Sequence, residues 1–228
     1  MEIYVAQKRD GDKATRLLVI GMIIFVLIVG VAFTVISNNS KNHVAIPASV
    51  SKADGYGIVY NATKKPVIDI WEDFQCPVCR QFESINNSYI DQVVRAGKAK
   101  VVFHTMSFIG PESISAAAAG ACASDSGKYL EFHSTLYRNQ PSRENSGAWT
   151  NQALILLGGA AGITDKNFIS CVNDGKYMNW TKNIEADAQK KNVNATPTIF
   201  VNGKELNRKT QYMDAAAFKA ALSAAGVA

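Results

Sequence analysis

The 228-residue chain is poor in the residues that bind metals, with three histidines and four cysteines. Cys76 and Cys79 form its one C-x-x-C pair, Cys122 and Cys171 lie far apart, and His43, His104 and His133 make no H-x-x-x-H partner. A structural zinc site needs a second ligand pair, so no metal and no cofactor are expected. Charge of one sign is also scarce: 24 basic against 19 acidic residues leave a formal +5. No Lys/Arg stripe interleaves with aromatics, so nothing points to a nucleic-acid partner. A small-x-small cleavage site is missing after the long apolar run, since Ser37-Asn38-Asn39-Ser40-Lys41 offers none and Ala48 lies too far along. That argues against a cleaved signal peptide, whose apolar region is about 7–15 residues.

The apolar run itself, residues 17–36, is 20 residues without a charge. This matches the length of a helix that crosses a hydrocarbon core. Lys8, Arg9, Lys13 and Arg16 precede it, and only Lys41 and Lys52 follow within twenty residues. The basic bias places the N-terminus inside. The expected organisation is a cytoplasmic tail (1–16), a single-pass transmembrane anchor in the cell membrane (17–36), a tether rich in Asn, Ser, Gly and Lys (37–57), and an extracytoplasmic domain (58–228). That domain has the usual size for one core. Disulfides persist outside the cytoplasm, and an even cysteine count suits that compartment.

The chain is organised around residues 67–82. Ile68 and Ile70 alternate with Asp69 between Val67 and Trp71, which reads as a strand with one face well buried. Pro77 then fits the first helical position, where its missing N–H costs nothing and its φ is preset. Phe82, Ile85, Tyr89 and Val93 recur at helical steps. Cys76 thereby falls at a helix N-terminus, where free N–H groups and the positive end of the macrodipole favour a thiolate. Such a thiolate is the nucleophile of thiol–disulfide exchange, and Cys79 can resolve the mixed disulfide.

Around this stretch the chain reads as a strand at Ile58-Val59-Tyr60, the strand just described, its helix ending at Gly97, and a strand over residues 100–106. Strand, helix, strand is a parallel crossover of right hand. Residues 111–192 then carry helical pattern alone, in about five helices. Strand character returns at Thr198-Ile199-Phe200-Val201, and Asn202-Gly203 before Glu205-Leu206 signals a two-residue hairpin. A helix over 213–222 closes the chain. The expected fold class is α/β with an all-helical insertion.

Phe74-Gln75-Cys76-Pro77-Val78-Cys79 after a strand, the insertion, and the segment from Ala195-Thr196-Pro197 to Asn202-Gly203 together resemble the DsbA-like, membrane-anchored bacterial branch of thioredoxin-fold disulfide oxidoreductases. The resemblance runs from about Ile58 to the C-terminus. It implies a cis peptide at Pro197 facing the cysteine pair, with Thr196 and Pro197 lining the substrate groove. It casts Cys76 as nucleophile, Cys79 as the shielded sulfur, and Pro77 and Val78 as the dipeptide that tunes the thiolate. Two departures stand out. Val78 occupies a position that is His in the best-known pattern, and Ile70 sits six residues before Cys76 where a buried acid is common. Asp69 should face the other way, while Glu72 and Asp73 read as solvated turn residues.

For Cys122 and Cys171 the compartment favours a structural disulfide, the other reading being two small buried hydrophobes. His133 reads as a packing histidine rather than a proton carrier. The expected activity is donation of the Cys76–Cys79 disulfide to reduced secreted proteins, with reoxidation by a membrane quinone-linked oxidase. A reductase or isomerase shares the same chemistry, since reduction potential sets direction. A non-enzymatic, peptide-holding chaperone is the contrasting class.

Overall fold

The computed structural model describes residues 11–42 and 44–227, in two units, Met1–Val44 and Ala45–Ala228. In the first, helix α1 spans Gly11–Asn42, and its large apolar side chains from Leu17 to Val31 are exposed. Among the described residues no helix is long and apolar enough to cross a membrane. The anchor expected over 17–36 therefore does not emerge as such an element, and its side chains beyond Val31 lie outside the described ones. The first ten residues of the expected tail, and His43, also lie outside the described residues. Where the tether was expected, α1 continues to Asn42 and the second unit begins at Ala45 with a short strand, β1 (Val50–Ser51).

The second unit is built on a six-stranded sheet. β2 (Gly57–Tyr60), β3 (Val67–Asp73), β4 (Lys100–Met106), β5 (Thr198–Val201) and β6 (Lys204–Glu205) join β1 in the order β1-β2-β4-β3-β5-β6. β3 and β4 are parallel, with Val67 opposite Lys100 and Asp73 opposite Met106, as a strand–helix–strand crossover requires. Every other pairing is antiparallel. Asn202 (φ 49°) and Gly203 (φ 78°) make the left-handed pair that a two-residue hairpin demands.

The sheet is covered on both sides, which changes the reading of β3. Ile68 and Ile70 are buried as their alternation implies, and Phe103 beside Ile70 packs on Tyr129. Trp71 on the opposite face is also fully buried, its ring stacked on His104 at 3.7 Å and 2°. Asp69 meets the His104 Nε2 at 3.0 Å. Alternation identifies the face of Ile68 and Ile70 but is blind to a second covering layer.

Helix α2 (Pro77–Arg95) crosses from β3 to β4, and α8 (Ala215–Ala224) packs beside it. Phe82 is fully buried against Tyr212 and Phe218 in edge-on contacts. The inner face of α2 is rotated from the expected stripe: Glu83 and Asn86 are buried with Phe82, Ile90 and Val93, while Ile85 and Tyr89 are half-buried. Asn86 is admitted because its amide donates to the carbonyls of Phe82 (3.1 Å) and Tyr212 (2.8 Å).

The insertion holds α3 (Pro111–Asp125), α4 (Tyr129–Arg138), α5 (Asn151–Ala160), α6 (Lys166–Asn173) and α7 (Thr181–Lys190). Its first helix is alanine-rich on every side, with Ala116 to Ala119, Ala121 and Ala123 all buried, so neighbouring helices approach closely. Cys122 and Cys171 form a disulfide that ties α3 to α6 across 49 residues. Closing a loop of that length is worth about 4 kcal/mol in the chain-entropy account. Replacing both cysteines with alanine is expected to lower unfolding free energy by about that amount. Chemical denaturation with the Cys76–Cys79 pair reduced in both proteins measures it, and an unchanged midpoint would contradict the account.

Candidate active site

Cys76 caps α2 with an extended backbone (φ −68°, ψ 118°), and Pro77 follows at the first helical position. Its Sγ accepts the Cys79 N–H at 3.4 Å, and its own thiol donates to the Thr196 carbonyl at 3.5 Å. The Thr196–Pro197 peptide is cis, as is Lys65–Pro66. Two motifs separated by 120 residues thus meet at one sulfur. Both cysteines are free thiols here; Cys79 is fully buried and Cys76 is 7% exposed. Val78, between them, is about half exposed.

The two thiols differ in acidity. A hydrogen bond from the Cys79 thiol, more than any other influence, brings Cys76 down from 9.0 to about 6, against the opposing effect of burial. The Thr196 side chain and the N–H groups of Cys79 and Val78 push the same way. Burial, then the hydrogen bond to Cys76 and the charge of Glu72, raise Cys79 well above 9.0. One sulfur is set to be a thiolate and the other to keep its proton.

Glu72 and Asp73 are buried, 3% and 0% exposed, and not the solvated turn residues expected from sequence. They leave β3 on opposite faces and enter different networks. Glu72 Oε2 lies 3.2 Å from His133 Nε2, and His133 Nδ1 lies 3.6 Å from Glu83 Oε2. Asn87 donates to the same Glu83 oxygen at 2.7 Å. Burial raises Glu72 well above the carboxylate range and Glu83 to about 8, the neighbouring Glu72 charge adding to the second. Burial also lowers His133, which keeps the imidazole neutral. His133 packs between two carboxyls that burial disposes to keep their protons. These three residues are also the one group of candidate metal-ligating side chains among the described residues.

Asp73 instead builds the loop in front of Cys76. Its Oδ1 accepts from Gln75 N–H (2.9 Å) and the Ser113 hydroxyl (2.7 Å), and Oδ2 from Ile109 N–H (3.3 Å). Burial outweighs these donors and raises the group to about 7. Gln75 Nε2 donates to Ser113 and to Asn145 Oδ1, while Asn145 N–H donates back to Gln75 Oε1 at 2.6 Å. Gln140 Nε2 donates to the carbonyls of Phe74 (2.6 Å) and Cys76 (3.0 Å). The insertion thus fixes the backbone that aims Cys76. Sequence reasoning missed the roles of Gln75, Gln140 and Asn145, which carry no local signal. Cys122 and Cys171 lie apart from this site, on α3 and α6.

A parallel βαβ crossover, an antiparallel β-hairpin behind it, and a cysteine pair facing a cis-proline make a thioredoxin fold. The family model for thioredoxin matches residues 54–223, and the chain belongs to that family. Among individual proteins, "Disulfide bond formation protein D" of Bacillus subtilis is 30% identical over 151 residues, covering 61% of this chain and 64% of that protein, less than two thirds of its length. The reduced DsbA of Mycobacterium tuberculosis is similar in structure, with TM-score 0.60 and 28% identity over 70% of this chain and 82% of that one. "MdbA protein, a thiol-disulfide oxidoreductase from Actinomyces oris" shares the fold at TM-score 0.69 and 20% identity, covering 81% and 92%.

In the reduced chain, absorbance of the thiolate near 240 nm is expected to titrate at about pH 6. Thr196→Val should move that midpoint upward. The folded state gives up this proton near 6 and an unfolded thiol only near 9.0, so the reduced fold gains stability as pH rises through that window and loses it as pH falls through 6. A midpoint near 9 in the folded chain would refute the site geometry.

Proposed function

We propose that the chain is an extracytoplasmic thiol:disulfide oxidoreductase, tethered to the cell membrane by residues 17–36, that donates its Cys76–Cys79 disulfide to reduced secreted proteins. The observation that carries this reading is the Cys76 sulfur at a helix N-terminus, accepting the Cys79 N–H and meeting the cis Thr196–Pro197 segment, surroundings that lower Cys76 to about 6 while burial raises Cys79. A low-pKa sulfur is a good leaving group and stabilises the reduced enzyme, which favours transfer of the disulfide outward. The named activities of the Bacillus, Mycobacterium and Actinomyces proteins agree with it. The tether is supported by 20 consecutive uncharged residues and the basic residues before them.

In the proposed cycle a substrate thiolate attacks the Cys76 Sγ, the Cys76–Cys79 bond breaks, and its electron pair goes to Cys79. Burial disposes that thiol to hold a proton, and Glu72, whose carboxyl burial also shifts toward its protonated form, supplies one. The substrate's second thiolate then attacks the substrate sulfur of the mixed disulfide and expels Cys76 as a stable thiolate. Thr196 and Pro197 border Cys76 where the substrate backbone passes. A membrane quinone-linked oxidase restores the disulfide, with Glu72 taking the Cys79 proton back.

Full-length chain in detergent is expected to accelerate oxidative refolding of a reduced, disulfide-requiring protein, and Cys76→Ser to abolish the acceleration. Substrate binding without turnover in both proteins would instead mark a peptide-holding module. Equilibration with glutathione reads the direction: a potential as low as that of thioredoxin, about −270 mV, would turn the assignment to a reductase. Glu72→Gln is expected to slow turnover by about 10- to 100-fold, within reach of one lost proton-transfer group, while leaving the alkylation rate of Cys76 within about twofold. Unchanged turnover would remove Glu72 from the cycle.

A further inference from the structure

A groove of about 620 Å³ opens between α2 and α4, its lining beginning at Pro77 beside the reactive cysteine. Arg80 stands on its α2 wall and Arg138 on its α4 wall, both exposed. Neither has a carboxylate partner within ion-pair distance among the described residues, whereas six other Lys and Arg residues there, Arg95, Lys100, Lys128, Lys176, Lys191 and Arg208, do. Arg138 donates only to neutral oxygens, Ser134 Oγ at 2.8 Å and Thr135 Oγ1 at 3.2 Å. Part of the lining is Glu83, whose buried carboxyl stays protonated to about pH 8 and so does not repel an anion. A second cavity of about 690 Å³ shares Asn87, Ser134 and Arg138 with the first and extends along α2 to Lys98, past Asp91, a half-buried carboxylate that feels Arg138 from beyond ion-pair distance and pairs with Arg95. The volume is in the range of clefts that hold ligands, and unpaired guanidiniums on facing walls are suited to carboxylates.

We infer that this groove receives an acidic segment of the client polypeptide next to its reacting cysteine, with client carboxylates bound by Arg80 and Arg138. Cys76 joins the two surfaces involved: its sulfur touches Thr196, and its successor Pro77 lines the groove. Arg80 lies one helical turn beyond Pro77, so the carboxylate it meets is about two to four residues from the client cysteine. The cleft is then a selector, steering the enzyme toward thiols with acidic neighbours and away from those with basic ones. This deepens the proposed activity and rests on it for turnover, but the binding step is separable.

The test uses full-length chain in detergent, glutathione disulfide in excess to reoxidise the Cys76–Cys79 pair, two reduced dithiol peptides differing only in Glu or Lys at the second to fourth positions from the cysteine, and dithiothreitol as a small substrate. The acidic peptide is expected to show about tenfold higher kcat/KM than the basic one, a preference falling with salt. Arg138→Glu should abolish the preference, and Arg80→Gln with Arg138→Gln should weaken it, with dithiothreitol oxidation unchanged. Anisotropy of a labelled, cysteine-free acidic peptide reads the groove without turnover and should show the same loss. Equal use of both peptides by the wild type, or a preference and peptide binding that survive Arg138→Glu, would overturn the inference. So would loss, in Arg138→Glu, of binding to vesicles containing anionic lipid with peptide binding intact. Failure of dithiothreitol oxidation alongside normal peptide binding would indict the proposed activity and spare the groove.

Discussion

The contact on which the rest depends is the one between the Cys76 sulfur and the first turn of α2. The Cys79 N–H points at that sulfur because Pro77 starts the helix there and Cys76 caps it. All the surrounding architecture serves to keep this turn in place. β3 delivers it, the cis Thr196–Pro197 segment meets it from β5, and Gln140 holds the carbonyls of Phe74 and Cys76. A thiolate needs donors converging on it, and Gln140, by holding the Phe74 and Cys76 carbonyls, fixes the turn whose N–H groups supply them.

The elements that the sequence displays most openly are those encoded by neighbours along the chain. Pro77 after Cys76, and Asn202-Gly203 between β5 and β6, specify their local geometry through backbone stereochemistry alone. Strand β1 escaped notice because two residues with no pattern of their own become a strand only by pairing with Gly57 and Ile58. The inner face of α2 was misread for a related reason. Glu83 and Asn86 look like surface residues until Tyr212 and His133, distant in sequence, arrive to satisfy them.

The candidate site divides along the same line. Cys76, Cys79 and Pro197 stand in short recognisable strings. The acid does not: Ile70 fills the place where one is common, and Glu72, two positions further along the same face of β3, is buried in its stead. Whether a carboxylate after a strand is wet or dry depends on what covers it, here the insertion helices. His133 gave a partial sign, since it lies at helical steps from Leu130 and Leu136, both buried. That places an imidazole on an inward face without saying that carboxyls wait on both sides.

The disulfide between α3 and α6 takes on added meaning beside the free Cys76–Cys79 pair. Cys122 and Cys171 sit toward the C-terminal ends of α3 and α6, where the helix dipole opposes a thiolate, so that bond lacks the surroundings that activate Cys76. Under the proposed activity, oxidation of clients at Cys76 and the tie between these two helices are therefore separate pieces of sulfur chemistry in one fold.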